Sequence, residues 1–177
     1  MTQPLATLPQ PHITDPGLHD LLAQTDRTAG PLGVDALIHD DRGRLFVQKR
    51  SDDRPFLPGC WDGTGGHVEA GETLLNALCR EVHEETGWHL QEIKALLHQH
   101  HWTGRTGKTL TGYVFLATAS GDMDTPVLEP GKVSDARWIQ PADLPLLLEN
   151  RPESDPGPYH AAARAGFDWL QRTEAPS

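Results

Sequence analysis

Sulfur and aromatic residues are scarce in this chain, and long apolar runs are missing altogether. Its two cysteines, Cys60 and Cys79, match no zinc or redox spacing. That excludes a disulfide framework and predicts free thiols in a reducing cytoplasm. No stretch reaches the roughly 18 apolar residues that a membrane-spanning helix needs. Met1 to Pro11 holds neither the basic nor the apolar block of an export signal, so a cytoplasmic location is expected. Runs of Lys and Arg are absent too, and 25 acidic against 15 basic residues leave a net charge of -10. Such a chain repels nucleic acid phosphates, so neither nucleic acid nor membrane is an expected partner. An anionic substrate must then be met by a metal ion or by a few well-placed cations.

The 177 residues suffice for one domain with a real core, and 37% hydrophobic with 23% charged residues reads as globular. Residues 1–28 read as an N-terminal arm, loose through residue 14. Asp15 and Pro16 then cap a short helix through Leu18, Leu21 and Leu22. The main domain is expected over residues 29–177. Val34, Ala36 and Ile38 alternate with Asp35, Leu37 and His39 as a mostly buried strand. Asp40 to Gly43 reverses it into a second strand, Leu45 to Lys49, as a hairpin. Arg54 to Cys60 reads as loop and Trp61 to Gly66 as one short strand. A helix runs from about Thr73 to Thr86, and Gly87 stops it. Leu90 to Trp102 and Thr109 to Thr118 read as long strands, followed by a strand at Ala136 to Ile139. A helix after Pro141 and a final one near His160 to Gln171 complete a mixed sheet with helices on both faces. His98 and His100 sit on alternate strand positions, near His101, but no Cys or carboxylate completes a zinc site.

The chemistry concentrates between Gly66 and Trp88. Glu81, Glu84 and Glu85 stand at i, i+3 and i+4, an arc of about 100° on a helix. Leu75, Leu78 and Val82 form the adjoining apolar stripe. Carboxylates at this spacing repel one another, and a hard divalent cation reverses the sign of that interaction. Mg2+ takes oxygen ligands and is commonly held together with substrate phosphates. Gly65 and Gly66 allow close backbone approach, so a carbonyl there can join the metal shell. Glu72 lies at the helix start, where the macrodipole favours an anion. The fork of Arg80 can pair with Glu72 or a neighbouring carboxylate and hold the acidic group in place. The plainer alternative is an amphipathic helix with a solvated acidic face.

This segment resembles the Nudix box, G-x5-E-x7-R-E-U-x-E-E-x-G-U, where U is a bulky apolar residue. Gly66, Glu72, Arg80, Glu81, Glu84, Glu85 and Gly87 fill all seven literal positions, and Val82 fills the first U. Chance odds for seven hits at one start are on the order of a few in a billion. Trp88 takes the last U, where an aliphatic residue is usual. Leu45 to Arg50, Trp61 to His67 and Arg137 to Ile139 are similar to the family's flanking segments. The resemblance implies an α/β fold, an α/β/α sandwich with a mixed sheet, from about residue 30 onward. It implies Mg2+-dependent hydrolysis of a phosphoanhydride bond, with Mn2+ as a substitute. By position, Glu81, Glu84, Glu85 and the Gly65 carbonyl would ligate the metal, and Arg80 would orient Glu81 or Glu84. Glu129, in Leu128 to Lys132, resembles the acidic loop that often supplies a further base. The substrate implied is a small nucleotide-type diphosphate or triphosphate, with monomer and homodimer both open. Neither the Tyr of diadenosine polyphosphate hydrolases nor the Pro of ADP-ribose hydrolases stands in the Thr103 to Thr106 window. Trp102, Tyr113 and Phe115 are candidates to stack a base, or are simply buried sheet aromatics. Isopentenyl diphosphate isomerase chemistry and a non-catalytic nucleotide-binding domain remain as alternatives.

Overall fold

The computed structural model describes residues 8–25, 30–104 and 106–173. At its centre lie a five-stranded mixed sheet and a three-stranded antiparallel one. The larger sheet is ordered β1 (His12–Ile13), β6 (His89–Thr103), β7 (Thr109–Ser120), β2 (Leu32–Ile38) and β5 (Thr64–His67). The smaller is ordered β4 (Trp61–Asp62), β3 (Leu45–Arg50) and β8 (Val133–Ile139). Three α-helices, α1 (His19–Leu22), α2 (Leu74–Thr86) and α3 (Tyr159–Thr173), accompany them.

Side-chain alternation along β2 builds the layers. Val34, Ala36 and Ile38 pack with Tyr113 and Phe115 of β7 against Leu74, Leu78 and Val82 of α2. On the other face Leu37 joins Val114 and Leu116 under Ala162, Ala163, Phe167 and Leu170 of α3. Asp35, two residues from Leu37, is therefore directed to the α3 face. The result is an α/β/α sandwich. Leu74 carries more of the α2 contact than Leu75, which stays half-buried.

α2 begins where the Thr73 hydroxyl accepts from the Asn76 N–H, and it ends at Gly87, whose φ of 77° a side chain would strain. The Leu74 N–H donates to Gln24 O, so the segment after α1 pins the start of the helix. Trp88, the aromatic in an aliphatic position, is buried between Phe46 and Trp138, with ring centroids 4.7 Å and 5.9 Å away.

Four local expectations change. The turn at Asp40 to Gly43 forms, but only His39 and Leu45 bridge across it. β2 has β7 and β5 on its two edges, so β3 leaves to pair with β4 and β8. The strand expected over Trp61 to Gly66 is split at Gly63, β4 joining one sheet and β5 the other. Residues 12–14, expected to be loose, are tied to β6, where Thr14 N–H donates to Ile93 O. The helix after Pro141 is a 3-10 helix, Pro141–Leu148, with Pro145 inside it lacking an N–H to donate. The expected boundary near residue 28 falls at residues 26–29, outside the described residues.

Candidate active site

The site forms where β5 meets α2. Gly66 faces Glu81 so closely that a Cβ there would come within 2.6 Å of its carboxylate. Gly65 is crowded in the same way by Val34 O and by the Asp35 side chain. The glycine pair thus lets the sheet edge and the acidic helix touch.

Arg80, only 7% exposed, ties the first half of the cluster. Its Nε and Nη2 donate to the two oxygens of Glu72, at 2.7 and 3.0 Å. Nη1 donates to Glu81 at 2.7 Å and to Glu84 at 3.3 Å, while Nη2 also reaches His67 O. Glu72 in turn accepts from the Glu69 N–H, which braces the loop before the helix. Glu84 remains exposed, tethered only at its tip.

Glu85 turns inward instead. Its Oε2 accepts from the Gly65 N–H and from Gln48 Nε2, both at 2.9 Å. Gly65 thus points its N–H out of the edge of β5, and an extended residue presents its carbonyl to the same side. Burial pushes the Glu85 carboxyl up to about 8; the Gly65 N–H opposes this and the charge of Asp62 adds to it. Burial likewise raises Glu81, against the pull of Arg80, with the charges of Glu84 and Glu129 raising it further. Glu129 is on a neighbouring loop, ion-paired to Lys132.

Sequence reading missed a second acidic group. Asp35 accepts from the Tyr159 hydroxyl at 3.0 Å, and Asp62 lies 3.5 Å from Arg50. Burial lifts both carboxyls to about 7. The available signal was an acid inside an apolar strand, in Leu32–Ile38, and another beside Trp61. Gln48 was missed as well; it is 3% exposed and sits across from Asp62 in the strand register.

Among the described residues no three His, Cys, Asp or Glu side chains already converge in metal-binding geometry. Glu81 is turned onto Arg80, and Glu85 onto Gly65 and Gln48. The donor set nevertheless suits a hard divalent cation: several desolvated carboxylates whose charged forms burial disfavours. His98 and His100 stack at 6.2 Å, with the His100 ring lying over Gly112. Tyr113 and Phe115 are buried in the core, whereas Trp102 is exposed. Cys60 and Cys79 are free and buried, Cys60 donating to Asn150 O. No helix among the described residues is long and apolar enough to cross a membrane.

A glycine-edged sheet joined to an Arg-knotted acidic helix, inside an α/β/α sandwich, defines one class of domain. The NUDIX domain model matches residues 30–161, and the chain belongs to the Nudix family. It is 30% identical over 109 residues to the uncharacterized Nudix hydrolase YfcD of Escherichia coli K12, covering 61% of this chain and 58% of that protein. A shorter stretch of 62 residues is 42% identical to the m7GpppN-mRNA hydrolase NUDT17 of Xenopus laevis, covering 35% of this chain and 21% of that one. Among solved structures, the MutT Nudix hydrolase of Burkholderia pseudomallei aligns with a TM-score of 0.55 and 29% identity. That alignment covers 78% of this chain and 95% of the other.

Proposed function

We propose that the chain is a Mg2+-dependent hydrolase, with Mn2+ as a substitute, that cleaves a phosphoanhydride bond in a nucleoside di- or triphosphate or a nucleoside diphosphate derivative. The observation that carries this reading is the pair of desolvated carboxylates, Glu81 and Glu85, held against the glycine edge of β5. Glu81, Glu84, Glu85 and the Gly65 carbonyl are the ligands we assign. When bound, the cation withdraws charge from the phosphoryl oxygens. Arg80 keeps Glu81 and Glu84 in register through one terminal nitrogen. Gly65 and Gln48 fix one oxygen of Glu85, and the carboxylate so oriented would help to hold the cation. Glu129, whose charge reaches Glu81, takes the proton from the attacking water.

The family membership and the relative named an m7GpppN-mRNA hydrolase support a nucleotide-type substrate. Two buried free thiols support a reducing cytoplasm as the setting. An isomerase reading would need a reactive thiol. Cys60 is sealed, bonded to a carbonyl, and pushed up in pKa by burial. Chromatography of a panel of nucleoside polyphosphates and diphosphate derivatives should show cleavage with Mg2+ and none in excess chelator. Equal cleavage in chelator, or none from any substrate, overturns the reading.

A further inference from the structure

Glu129, the base in the proposed mechanism, stands on a loop and has to be held against a helix far from it in sequence. Residues 121–132 connect β7 to β8, and this loop is fastened to the end of α2 at successive points. The Asp122 carboxylate first folds it back, accepting from the N–H groups of Asp124 and Thr125 and from the Thr125 hydroxyl. The Val127 N–H then donates to Thr86 O at 2.9 Å, and its side chain lies beside Gly87. Glu129 follows two residues later, its carbonyl accepting from the Lys132 and Val133 N–H groups as the chain turns into β8. The charge of Glu129 is felt at Glu81.

Two indoles hold the front of this loop. Trp88 Nε1 donates to Asp122 O at 2.8 Å, and Trp138 Nε1 donates to Met123 O at 3.4 Å. Their rings stack with centroids 5.9 Å apart and planes at 24°, and Phe46 packs edge-on against Trp88. Trp88 is 1% exposed, and the turn is shaped to it. Gly121 has a φ of 140°, and a Cβ there would come within 2.8 Å of Trp88 Cδ1. Two consecutive carbonyls thus each receive an indole N–H. A buried indole needs a partner for its nitrogen. An aliphatic side chain, usual at this place in the box, fills the space and makes no such bond. Trp88 lies three residues past Glu85, so one short stretch of chain carries both a ligand we assign and a fastening of the loop with the base.

We infer that Trp88 and Trp138 are positioning residues: their paired indole N–H groups clamp the loop between β7 and β8 onto the end of α2 and so set Glu129 against the acidic helix. The inference rests on the hydrolase reading for the task of Glu129, while the clamp itself is tested without turnover.

Trp88→Phe keeps a ring in the aromatic cluster and removes the N–H, and Trp138→Phe does the same at the longer bond. Amide hydrogen exchange of the substrate-free chain should accelerate at least about fivefold over residues 122–129 in Trp88→Phe. Turnover with Mg2+, on the panel substrate that wild type cleaves best, should fall about tenfold in Trp88→Phe and about threefold in Trp138→Phe, with KM within about twofold. Glu129→Gln should lose more, and adding Trp88→Phe to it should cause no further loss, because the clamp acts through that carboxylate. The melting shift on adding Mg2+ should survive in both indole variants. Trp138→Phe carries the same tests should Trp88→Phe not fold. Unchanged exchange over residues 122–129 overturns the clamp. So does an equal loss from Trp88→Phe in the Glu129→Gln background, the mark of a generally loosened fold, and so does full turnover in Glu129→Gln. Locally faster exchange in a protein that cleaves no substrate leaves the clamp standing and removes the hydrolase reading instead.

Discussion

Just before α2, Glu72 accepts from two nitrogens of Arg80, and Glu81 shares the same guanidinium, so hydrogen bonds oppose the cost of burying these charges. One turn beyond Glu81, Glu85 is desolvated against a backbone N–H and an amide, and among the described residues no guanidinium bonds it. The first arrangement stabilises the fold. The second costs stability, because burial opposes its charged form. The same residue type thus braces the fold at one position and, in the proposed mechanism, holds a cation at another.

Changes at the two ends should therefore separate. Glu85→Gln keeps the shape and removes the charge; turnover should fall about 100- to 10,000-fold. The melting temperature without metal should hold or rise, and the shift on adding Mg2+ should shrink. Retained activity together with a full Mg2+ shift would make Glu85 an ordinary acidic residue. Arg80→Gln should do the opposite to the fold, lowering the unfolding free energy by about 3 kcal/mol in urea titration, since three carboxylates lose their partner. A loss below about 1 kcal/mol would equate the two ends.

The pH dependence sharpens the contrast. In the folded chain Glu85 holds its proton to about 8, while unfolded it releases it near 4.5. The folded state binds the extra proton between those values, so this group's contribution is full below about 4.5 and is lost as pH rises toward about 8. Metal-free wild type should thus lose melting temperature across that window relative to Glu85→Gln, and Mg2+ should flatten the difference. Parallel profiles would remove the desolvation argument. The smallest effect belongs to the thiols. Cys60→Ala and Cys79→Ala together should leave turnover within about threefold, with a modest loss of stability from their buried volume. A folded Cys60→Ala protein without turnover would revive a thiol mechanism.

The acidic helix was legible because its spacing is local. Gly87 and Thr73 end it, and the i, i+3, i+4 carboxylates follow from helical pitch alone. Arg80 was expected to hold Glu72 or a neighbouring carboxylate, and it holds three at once. The expected hairpin failed for the opposite reason. A turn signal reverses the chain over four residues but says nothing about which edges of β2 are already occupied. Asp35, Gln48 and Asp62 went unread because they belong to β2, β3 and β4, and only sheet assembly turns Asp35 to Tyr159 and brings Gln48 and Asp62 to Glu85.

The family, the helix with its caps and the Arg-carboxylate chemistry follow from local sequence, since each depends on residues close to one another along the chain. Tertiary packing set the rest: Glu85 is half-buried while Glu84 is exposed, and Trp102 is open while Tyr113 and Phe115 are not. Burial and partnership are properties of surfaces brought together from distant parts of the chain. Here the segment between the 3-10 helix and α3 meets the loop after β3, and that loop meets the end of β6, only because two sheets share one sandwich.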